Sequence, residues 1–414
     1  AHTFSAVIVD LGRNIPQTDL VTDYVTGAIW AIALGLSILM WPVPSSHKRA
    51  LSWAWAAKFV VTMGLMLFYE AHYADIDMYG LFWGATNKWF VWENFRDGTL
   101  NMRQLCWLHG QVFPNSFHLM KVNFSFIGFV SVYLFFRASA EFLRRDDFRY
   151  WAAMFISPSL IFFSSVLGKD AIILFGVAIY TYGVSRWLRT SGLRYIALIL
   201  FGAGGTMLIR PWMGAILMMP LAILAMVRMR SGMQKLLLII PLSALVLYST
   251  TAVQEQLRIG SAAEMVSRVD DITHTDGWEG GSGRQSIRFT DLSVMTGFIP
   301  LGAFTALFRP LPGEVNNIFG IVVGLENLIY LWALVMALRR TSLRELLEPM
   351  VLWALLLVMI WGAFYGFASY QNMGAAVRYR LQIQPILLGL LLYLGRRRVS
   401  AAAPLRPALM PQVS

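Results

Sequence analysis

Long apolar runs alternate with short polar and basic connections along the whole chain. A helix that crosses the hydrocarbon core of a bilayer needs about 20 mostly apolar residues. The runs therefore predict eleven membrane-spanning helices, at 26–43, 51–70, 119–137, 150–166, 170–187, 194–210, 213–228, 235–250, 316–338, 349–368 and 380–395. A twelfth run, 294–308, is short and contains Pro300. The predicted fold is an all-α polytopic transmembrane bundle of about ten to twelve spans.

Basic residues at the ends of these runs predict the orientation, because Lys and Arg accumulate on the cytoplasmic side of membrane proteins. With eleven spans, all the basic clusters fall on one side, at 48–49, 137–149, 186–194, 228–235, 339–344 and 396–398. If 294–308 also crossed, the last two clusters would lie outside. We therefore predict a re-entrant or interfacial segment there, with the amino terminus outside and the carboxyl terminus in the cytoplasm.

These spans predict one transmembrane domain, 26–398, between a short outer segment, 1–25, and a disordered cytoplasmic tail, 399–414. The first 25 residues lack the apolar core and the small-residue cleavage site of a secretory signal, so we expect the first span to be retained. The tail is rich in Ala and Pro, a composition that does not build a packed core.

Two predicted outer loops are long, 71–118 and 251–315. The aromatic stretch 81–92 in the first loop predicts an amphipathic helix lying on the membrane, because Trp and Tyr favour the headgroup level. Gly-rich residues 277–284 in the second loop predict a flexible segment. They lack the flanking strand and helix that a nucleotide-binding loop requires.

Composition and charge support lipid as the solvent. Hydrophobic residues make up 57% of the 414 residues and charged residues 14%, whereas soluble domains carry about 25% charged residues. The net charge of +11 does not indicate a nucleic-acid partner, because the basic residues lie in short clusters between apolar runs. One cysteine, Cys106, cannot form an internal disulfide, and six scattered His argue against a Cys/His metal cluster.

Charged residues on the predicted outer side are the strongest candidates for a functional site, since the orientation rule does not explain them. Ionisable residues at membrane helices are costly and mark functional sites by default. Guanidinium groups suit bidentate phosphate binding, and the prolines after Arg210 and Arg309 help to aim those side chains. The candidates for binding a phosphate or another part of the substrate are Lys169, Asp170, Arg210, Arg309, Glu314, Arg378, Arg380 and His109. The alternatives are a turn pair at 169–170 and arginines that only reach the interface.

Three carboxylates are candidate catalytic groups. Asp75 and Asp77 directly follow the second predicted span and could act as a general base or bind a divalent metal; the alternative is a solvated loop. Glu326 lies inside a predicted span. We expect it to pair with an arginine such as Arg309 or Arg378, or else to carry a catalytic proton. No metal site and no other cofactor is assigned.

An acidic first outer loop after an early helix resembles the multi-pass GT-C class of glycosyltransferases, which use polyprenyl-phosphate-linked sugars. In that class an acidic residue of this loop commonly acts as the base, and the matching positions are Asp75 and Asp77. The resemblance implies an enzyme of the bacterial inner membrane that acts at its outer face.

Further motifs resemble polymerases and glycosyltransferases of bacterial exopolysaccharide and O-antigen assembly. These motifs are 158–170, Arg210-Pro211, Arg309-Pro310 with Glu314 and Glu326, and the Arg378/Arg380 segment. They imply a polyprenyl-(di)phosphate-linked saccharide as substrate, membrane lipid and other assembly proteins as partners, and no nucleic acid. We expect no large carboxy-terminal outer domain like that of oligosaccharyltransferases. The chain also lacks an obvious Arg/His-rich loop like that of O-antigen ligases, although 251–293 could play that part.

Other classes of function remain open. A transporter or flippase for a lipid-linked saccharide would also use charges inside a bundle, but its polar residues usually lie near the midplane, between inverted repeats. Here the polar residues lie towards one side and no repeat is visible. A ligase-like enzyme and a non-catalytic assembly subunit are the remaining alternatives.

Overall fold

The computed structural model describes residues 2–74, 76–87, 97–228, 232–257, 261–273, 287–315 and 317–397. These residues form helices and no β-strand. In chain order the helices are α1 (His2–Leu11), α2 (Leu20–Ser37), α3 (Ser45–Val60), α4 (Met66–His72), α5 (Asp77–Asn87), α6 (Gly98–Val112), α7 (Phe117–Leu143), α8 (Phe148–Ile156), α9 (Pro158–Phe163), α10 (Lys169–Thr190), α11 (Leu193–Ile209), α12 (Trp212–Arg228), α13 (Gly232–Leu257), α14 (Ala262–Thr273), α15 (Leu292–Phe308), α16 (Ile318–Arg340), α17 (Leu343–Leu346), α18 (Pro349–Ser369), α19 (Met373–Arg380) and α20 (Gln384–Leu394). A 3₁₀ turn, Ile38–Met40, extends α2, and a π turn, Val61–Leu65, joins α3 to α4.

The helices confirm the all-α fold, and several of them are long and apolar enough to indicate a multi-pass membrane protein. Within the described residues, six helices are long and apolar enough to cross a membrane: Leu20–Met40, Ser45–His72, Phe117–Leu143, Lys169–Thr190, Ile318–Arg340 and Pro349–Ser369. The shorter apolar helices are Leu193–Ile209, Trp212–Met226, Ile239–Thr251, Leu292–Phe308 and Gln384–Leu394. The expected count of eleven full spans is therefore not reached by length and composition.

Basic residues gather at one end of the bundle, as their positions at helix ends predict. Glu141, near the end of α7, lies 3.1 Å from Arg186 and 2.5 Å from Arg189 at the end of α10. Arg396, after α20, lies 2.9 Å from Glu345 in α17. The two groups belong to the same end, because the rings of Phe142 and Tyr393 lie 4.8 Å apart. We call this the basic end; α7 and α10 begin at the opposite end.

Two of the predicted spans are broken half-way along the bundle. The run 150–166 forms α8 and α9, which meet at Ser157-Pro158. Pro158 suits the first position of a helix because it has no N–H to leave unpaired, and the Ser157 side chain accepts a hydrogen bond from the backbone N–H of Leu160. The run 380–395 likewise starts earlier than expected, as α19, and continues as α20 after the turn 381–383.

The run 294–308 forms a continuous helix, α15, that descends along α18. Gly302 and Gly366 allow this close contact, since a Cβ on Gly366 would lie 2.5 Å from the Gly302 carbonyl carbon. After Phe308 the chain turns back along the first turns of α16. There the side-chain amide of Asn327 donates a hydrogen bond of 2.7 Å to the carbonyl oxygen of Pro310.

The first long loop contains α5 and α6, which pack against the bundle. One face of α5 is buried, and the Phe82 ring on that face lies 5.5 Å from the ring of Phe117. The predicted amphipathic stretch 81–92 thus begins in a helix with a buried face. Several predictions lie outside the described residues: the rest of that stretch from 88 onward, Asp75, the Gly-rich segment 277–284 and the tail 399–414.

Candidate functional site

Arg378, Asp170, Asp77 and Arg210 meet at the end of the bundle opposite the basic end. The Nε of Arg378 donates to Asp170 Oδ2 at 2.5 Å, and its Nη1 donates to Asp77 Oδ2 at 3.2 Å. Arg210 Nη2 lies 3.6 Å from Asp170 Oδ1. Asp170 is buried in the first turn of α10, where the helix dipole stabilises a carboxylate. We call these four residues the arginine–aspartate cluster.

Arg210 forms the buried side of this cluster. Its Nη1 donates to the Tyr365 hydroxyl at 3.0 Å, and its guanidinium carbon lies 4.4 Å from the centre of the Tyr379 ring. Trp212 Nε1 donates to the same Tyr365 hydroxyl at 2.8 Å. These groups enclose Arg210, so its link to Arg378 on the exposed side of the cluster is the shared partner Asp170.

Lys169 and Arg378 are more exposed than Arg210. Lys169 Nζ donates to the Thr99 hydroxyl of α6 at 2.7 Å, so it ties the first long loop to the start of α10. The Arg378 side chain is 30% exposed although it bonds to two aspartates. The Arg378 side chain is therefore partly accessible to a ligand.

A cavity of about 1190 Å³ opens beside Arg378 and Asp77, which both line it. Its other polar lining comes from Tyr69, His72, Tyr73, Asn317, Asn372 and Tyr379. Its apolar lining includes Leu65, Phe68, Ile161, Phe162, Phe163, Val166, Ile318, Phe319, Val322 and Val323. The cavity thus has a charged rim and a long apolar wall.

The apolar wall continues onto the outer surface of the bundle. Leu65 and Phe68 at the end of one candidate membrane helix are 52% and 62% exposed. Ile318 and Val322 at the start of another are 82% and 38% exposed. All four line the cavity. In a bilayer such apolar side chains face lipid, so the cavity can admit a hydrocarbon chain from the side.

Arg309 and Glu314 pair with each other in the loop after α15. Arg309 Nε donates to Glu314 Oε2 at 2.9 Å, and its Nη2 donates to the other carboxylate oxygen. The backbone N–H of Leu311 donates to Glu314 Oε2 at 2.8 Å. These two predicted phosphate-site residues therefore fix the turn that leads back to α16.

His109 lies on α6 against another part of the bundle. Its ring stacks on Phe113 at 4.7 Å, and its Nε2 lies 2.8 Å from the side-chain amide of Asn123. Burial lowers the pKa of His109 to about 4, which keeps the imidazole neutral at physiological pH. Neutral and engaged with Asn123, His109 does not supply a positive charge to a phosphate.

Glu326 lies in a buried polar layer half-way along the bundle. Its carboxylate accepts hydrogen bonds from Ser157 Oγ at 2.5 Å, Tyr330 OH at 2.9 Å and Gln384 Nε2 at 2.8 Å. Ser159 donates from both its hydroxyl, at 3.0 Å, and its backbone N–H, at 3.2 Å. The expected pairing with Arg309 or Arg378 is not formed, because those arginines bind Glu314 and the aspartates.

Arg380 is fully buried beside this layer and binds the end of another helix. Its Nη1 donates at 2.9 Å to the carbonyl oxygen of Leu307, in the last turn of α15. The last carbonyl groups of a helix have no partner within the helix, and a cation near them is favourable. At the start of α9, the carboxylate of Glu326 accepts a hydrogen bond from the backbone N–H of Ser159 in the first turn. Both residues therefore stabilise helix ends inside the bundle.

Sequence reasoning missed three buried charges near the cavity. Lys58 Nζ donates to the hydroxyls of Ser164 and Ser165, at 2.6 and 3.1 Å, just after α9 ends. Glu70 and Lys121 form an ion pair of 2.8 Å in which both side chains are 0% exposed. Each of these charges lies within a predicted apolar span, and a charge in such a span could have marked it as a candidate. Hydropathy averaged over a window hides a single charged residue.

The described residues contain no group of three or more His, Cys, Asp and Glu side chains that could hold a metal ion. Of the sequence-predicted site residues that are described, Asp77 and Arg378 line the cavity, and Asp170 and Arg210 support them from behind. Comparison of the chain with protein-family models, with curated proteins and with solved structures finds no match.

Proposed function

We propose that this protein is a membrane glycosyltransferase or polysaccharide polymerase that uses a polyprenyl-(di)phosphate-linked sugar. One observation carries the proposal: a cavity with Arg378 and Asp77 at its rim has an apolar wall that opens sideways between two candidate membrane helices. A lipid phosphate has the same division, with an anionic head and a hydrocarbon tail. A planar guanidinium suits the head, and the exposed apolar side chains suit the tail.

The chemistry would need few groups. The acceptor hydroxyl oxygen forms a bond to the anomeric carbon of the lipid-linked sugar, and its proton passes to Asp77 or Asp75. The bond between the anomeric carbon and the phosphate oxygen breaks, and the electron pair leaves with the phosphate. Arg378 stabilises the negative charge that grows on that oxygen, while Asp170 holds the guanidinium in place. No nucleotide is required, since the lipid phosphate is the leaving group.

The proposed site would face the outer side of a bacterial inner membrane. The basic end of the bundle is then cytoplasmic, and the cluster at the opposite end faces outward. In this arrangement α15 is a re-entrant helix, which the return of the chain along α16 supports. Irregular backbone at such depth requires polar partners, and Asn327 and Arg380 provide them.

We expect Arg378→Ala to weaken binding of undecaprenyl diphosphate by about 10- to 100-fold, the loss typical of hydrogen bonds to a charged group. Arg378→Lys keeps the charge but not the fork of donors, so its affinity should be intermediate. Binding to protein in nanodiscs would be measured by microscale thermophoresis. Arg149→Ala removes an exposed charge at the basic end and serves as the matched control. Wild-type affinity in both alanine variants would contradict the proposal.

Replacing the candidate base has a different expected signature. Asp77→Asn should leave the affinity for undecaprenyl diphosphate within about threefold but lower the rate of sugar transfer by about 100- to 10,000-fold, the usual contribution of a general base. Purified protein with a lipid-linked oligosaccharide and radiolabelled product would report the rate. Asp75→Asn is the companion variant. If neither substitution slows transfer, the base is another residue.

A further inference from the structure

One face of α4 lines the cavity and takes no part in the arginine–aspartate cluster. Phe68, Tyr69 and His72 of α4 line the cavity, and so does Leu65 just before α4. His72 is four residues from Phe68 and three from Tyr69, which places the three on one side of the helix. The π turn Val61–Leu65 directly precedes this face. Such turns shift the register of a helix and are frequent at functional sites. Along this face the side chains change from apolar at Leu65 and Phe68 to polar at Tyr69 and His72.

Tyr69, His72 and Tyr73 form a continuous aromatic surface. The ring centre of Tyr73 lies 4.9 Å from that of Tyr69 and 4.7 Å from that of His72. The Tyr69 ring also packs against Phe162, with ring centres 5.4 Å apart. Tyr73 is 44% exposed and His72 is also exposed, so ring surface remains open to the cavity.

Polar atoms on this surface are available to a ligand. Among the described residues, neither the Tyr69 hydroxyl nor the His72 imidazole has a hydrogen-bond partner, although both line the cavity. Tyr69 and His72 share this cavity with Arg378 and Asp77. The aromatic surface therefore adjoins the place where we propose that the phosphate binds.

The chemistry of this surface matches a sugar ring. The face of a pyranose presents C–H groups, which pack favourably on the electron-rich face of an aromatic ring, while its edge presents hydroxyls that donate and accept hydrogen bonds. We infer that Tyr69, His72 and Tyr73 form a saccharide subsite that takes a pyranose ring next to the lipid phosphate. This inference rests on the proposed function and adds the residues that recognise the sugar.

The test compares lipids that differ only in the sugar. Binding to protein in nanodiscs is measured for bare undecaprenyl diphosphate and for the same lipid carrying glucose, galactose, mannose or N-acetylglucosamine. At least one sugar should tighten binding by about three- to tenfold, the range expected for an aromatic contact. We expect Tyr73→Ala to remove most of this gain and leave the affinity for the bare lipid unchanged. Tyr73→Phe keeps the ring and should retain the gain.

Phe68→Ala is the matched control, because Phe68 lies on the same face of α4 but at its apolar part. It should weaken binding of bare and sugar-carrying lipids by the same factor, so their ratio stays unchanged. His72→Ala should also lower this ratio. Thermal unfolding would verify that each variant is folded; Tyr73 and His72 are exposed, so their replacement should not lower stability.

The outcomes separate the two proposals. If bare undecaprenyl diphosphate does not bind, or binds independently of Arg378, the proposed function fails. If it binds through Arg378 but no sugar tightens binding, or if Tyr73→Ala and His72→Ala leave the ratio at its wild-type value, the saccharide subsite is overturned and the lipid-phosphate site stands.

Discussion

Lys121→Met is expected to lower the free energy of unfolding by about 3–5 kcal/mol, the cost of leaving a buried charge without its partner. Lys121 Nζ donates to both carboxylate oxygens of Glu70, at 2.8 and 3.0 Å, and both side chains are fully buried. The substitution leaves the Glu70 carboxylate in an apolar interior without a cation. Reversible unfolding in mixed micelles, followed by tryptophan fluorescence, would measure the change.

The control is the double variant Glu70→Leu with Lys121→Met. Replacing both members of a buried ion pair by apolar residues of similar volume is often neutral, so the double variant should be more stable than the single one. Arg49→Met removes an exposed cation of α3 and should change the free energy of unfolding by at most about 0.5 kcal/mol. A stable Lys121→Met protein would mean that Glu70 is neutral in the folded state.

Glu326→Leu has the second large expected effect, a loss of about 3–6 kcal/mol in the free energy of unfolding. The carboxylate accepts hydrogen bonds from Ser157, Ser159, Tyr330 and Gln384. Each buried donor left without an acceptor costs about 1–3 kcal/mol, and part of the cost is recovered where these groups bond to one another. The same unfolding measurement applies.

Glu326→Gln distinguishes a structural from a catalytic role. The amide keeps the shape and one acceptor oxygen, so stability should fall by only about 1–2 kcal/mol. Because Glu326 does not line the cavity, this variant should bind undecaprenyl diphosphate and transfer sugar at near the wild-type rate. A folded Glu326→Gln protein that binds lipid normally yet transfers no sugar would instead assign a catalytic proton to Glu326.

Breaks in helices limit what the hydrophobic pattern can predict. The run 150–166 reads as a single span but forms two helices, and the run 380–395 begins at the last residue of α19 and continues as α20. Both breaks lie in the polar layer around Glu326. Pro158 signals the first break. The second, at 381–383, is signalled by Pro385 in the first turn of α20 and is accompanied by tertiary contacts of Gln384 and Arg380. A run of apolar residues is compatible with either arrangement.

For the candidate site, the sequence predicted the residues but not their pairing. Charged residues beside apolar runs are rare enough that Arg378, Asp170, Arg210 and Asp77 could be selected from the sequence. The pairing of these charges could not be predicted from the sequence, because Arg378 is 208 residues from Asp170 and 301 from Asp77. Arg309 looked equivalent to Arg210 in its local sequence, yet it pairs with Glu314 within its own turn.

The sequence alone predicted an all-helical membrane protein with clusters of basic residues at helix ends, because apolar length and charge at helix ends are local properties. Only the tertiary structure decided which charges neutralise one another, and that Arg378 and Asp77 share a cavity with Tyr69, His72 and Tyr73. These outcomes depend on which helix faces pack together, and that packing is set by contacts between residues far apart in the chain.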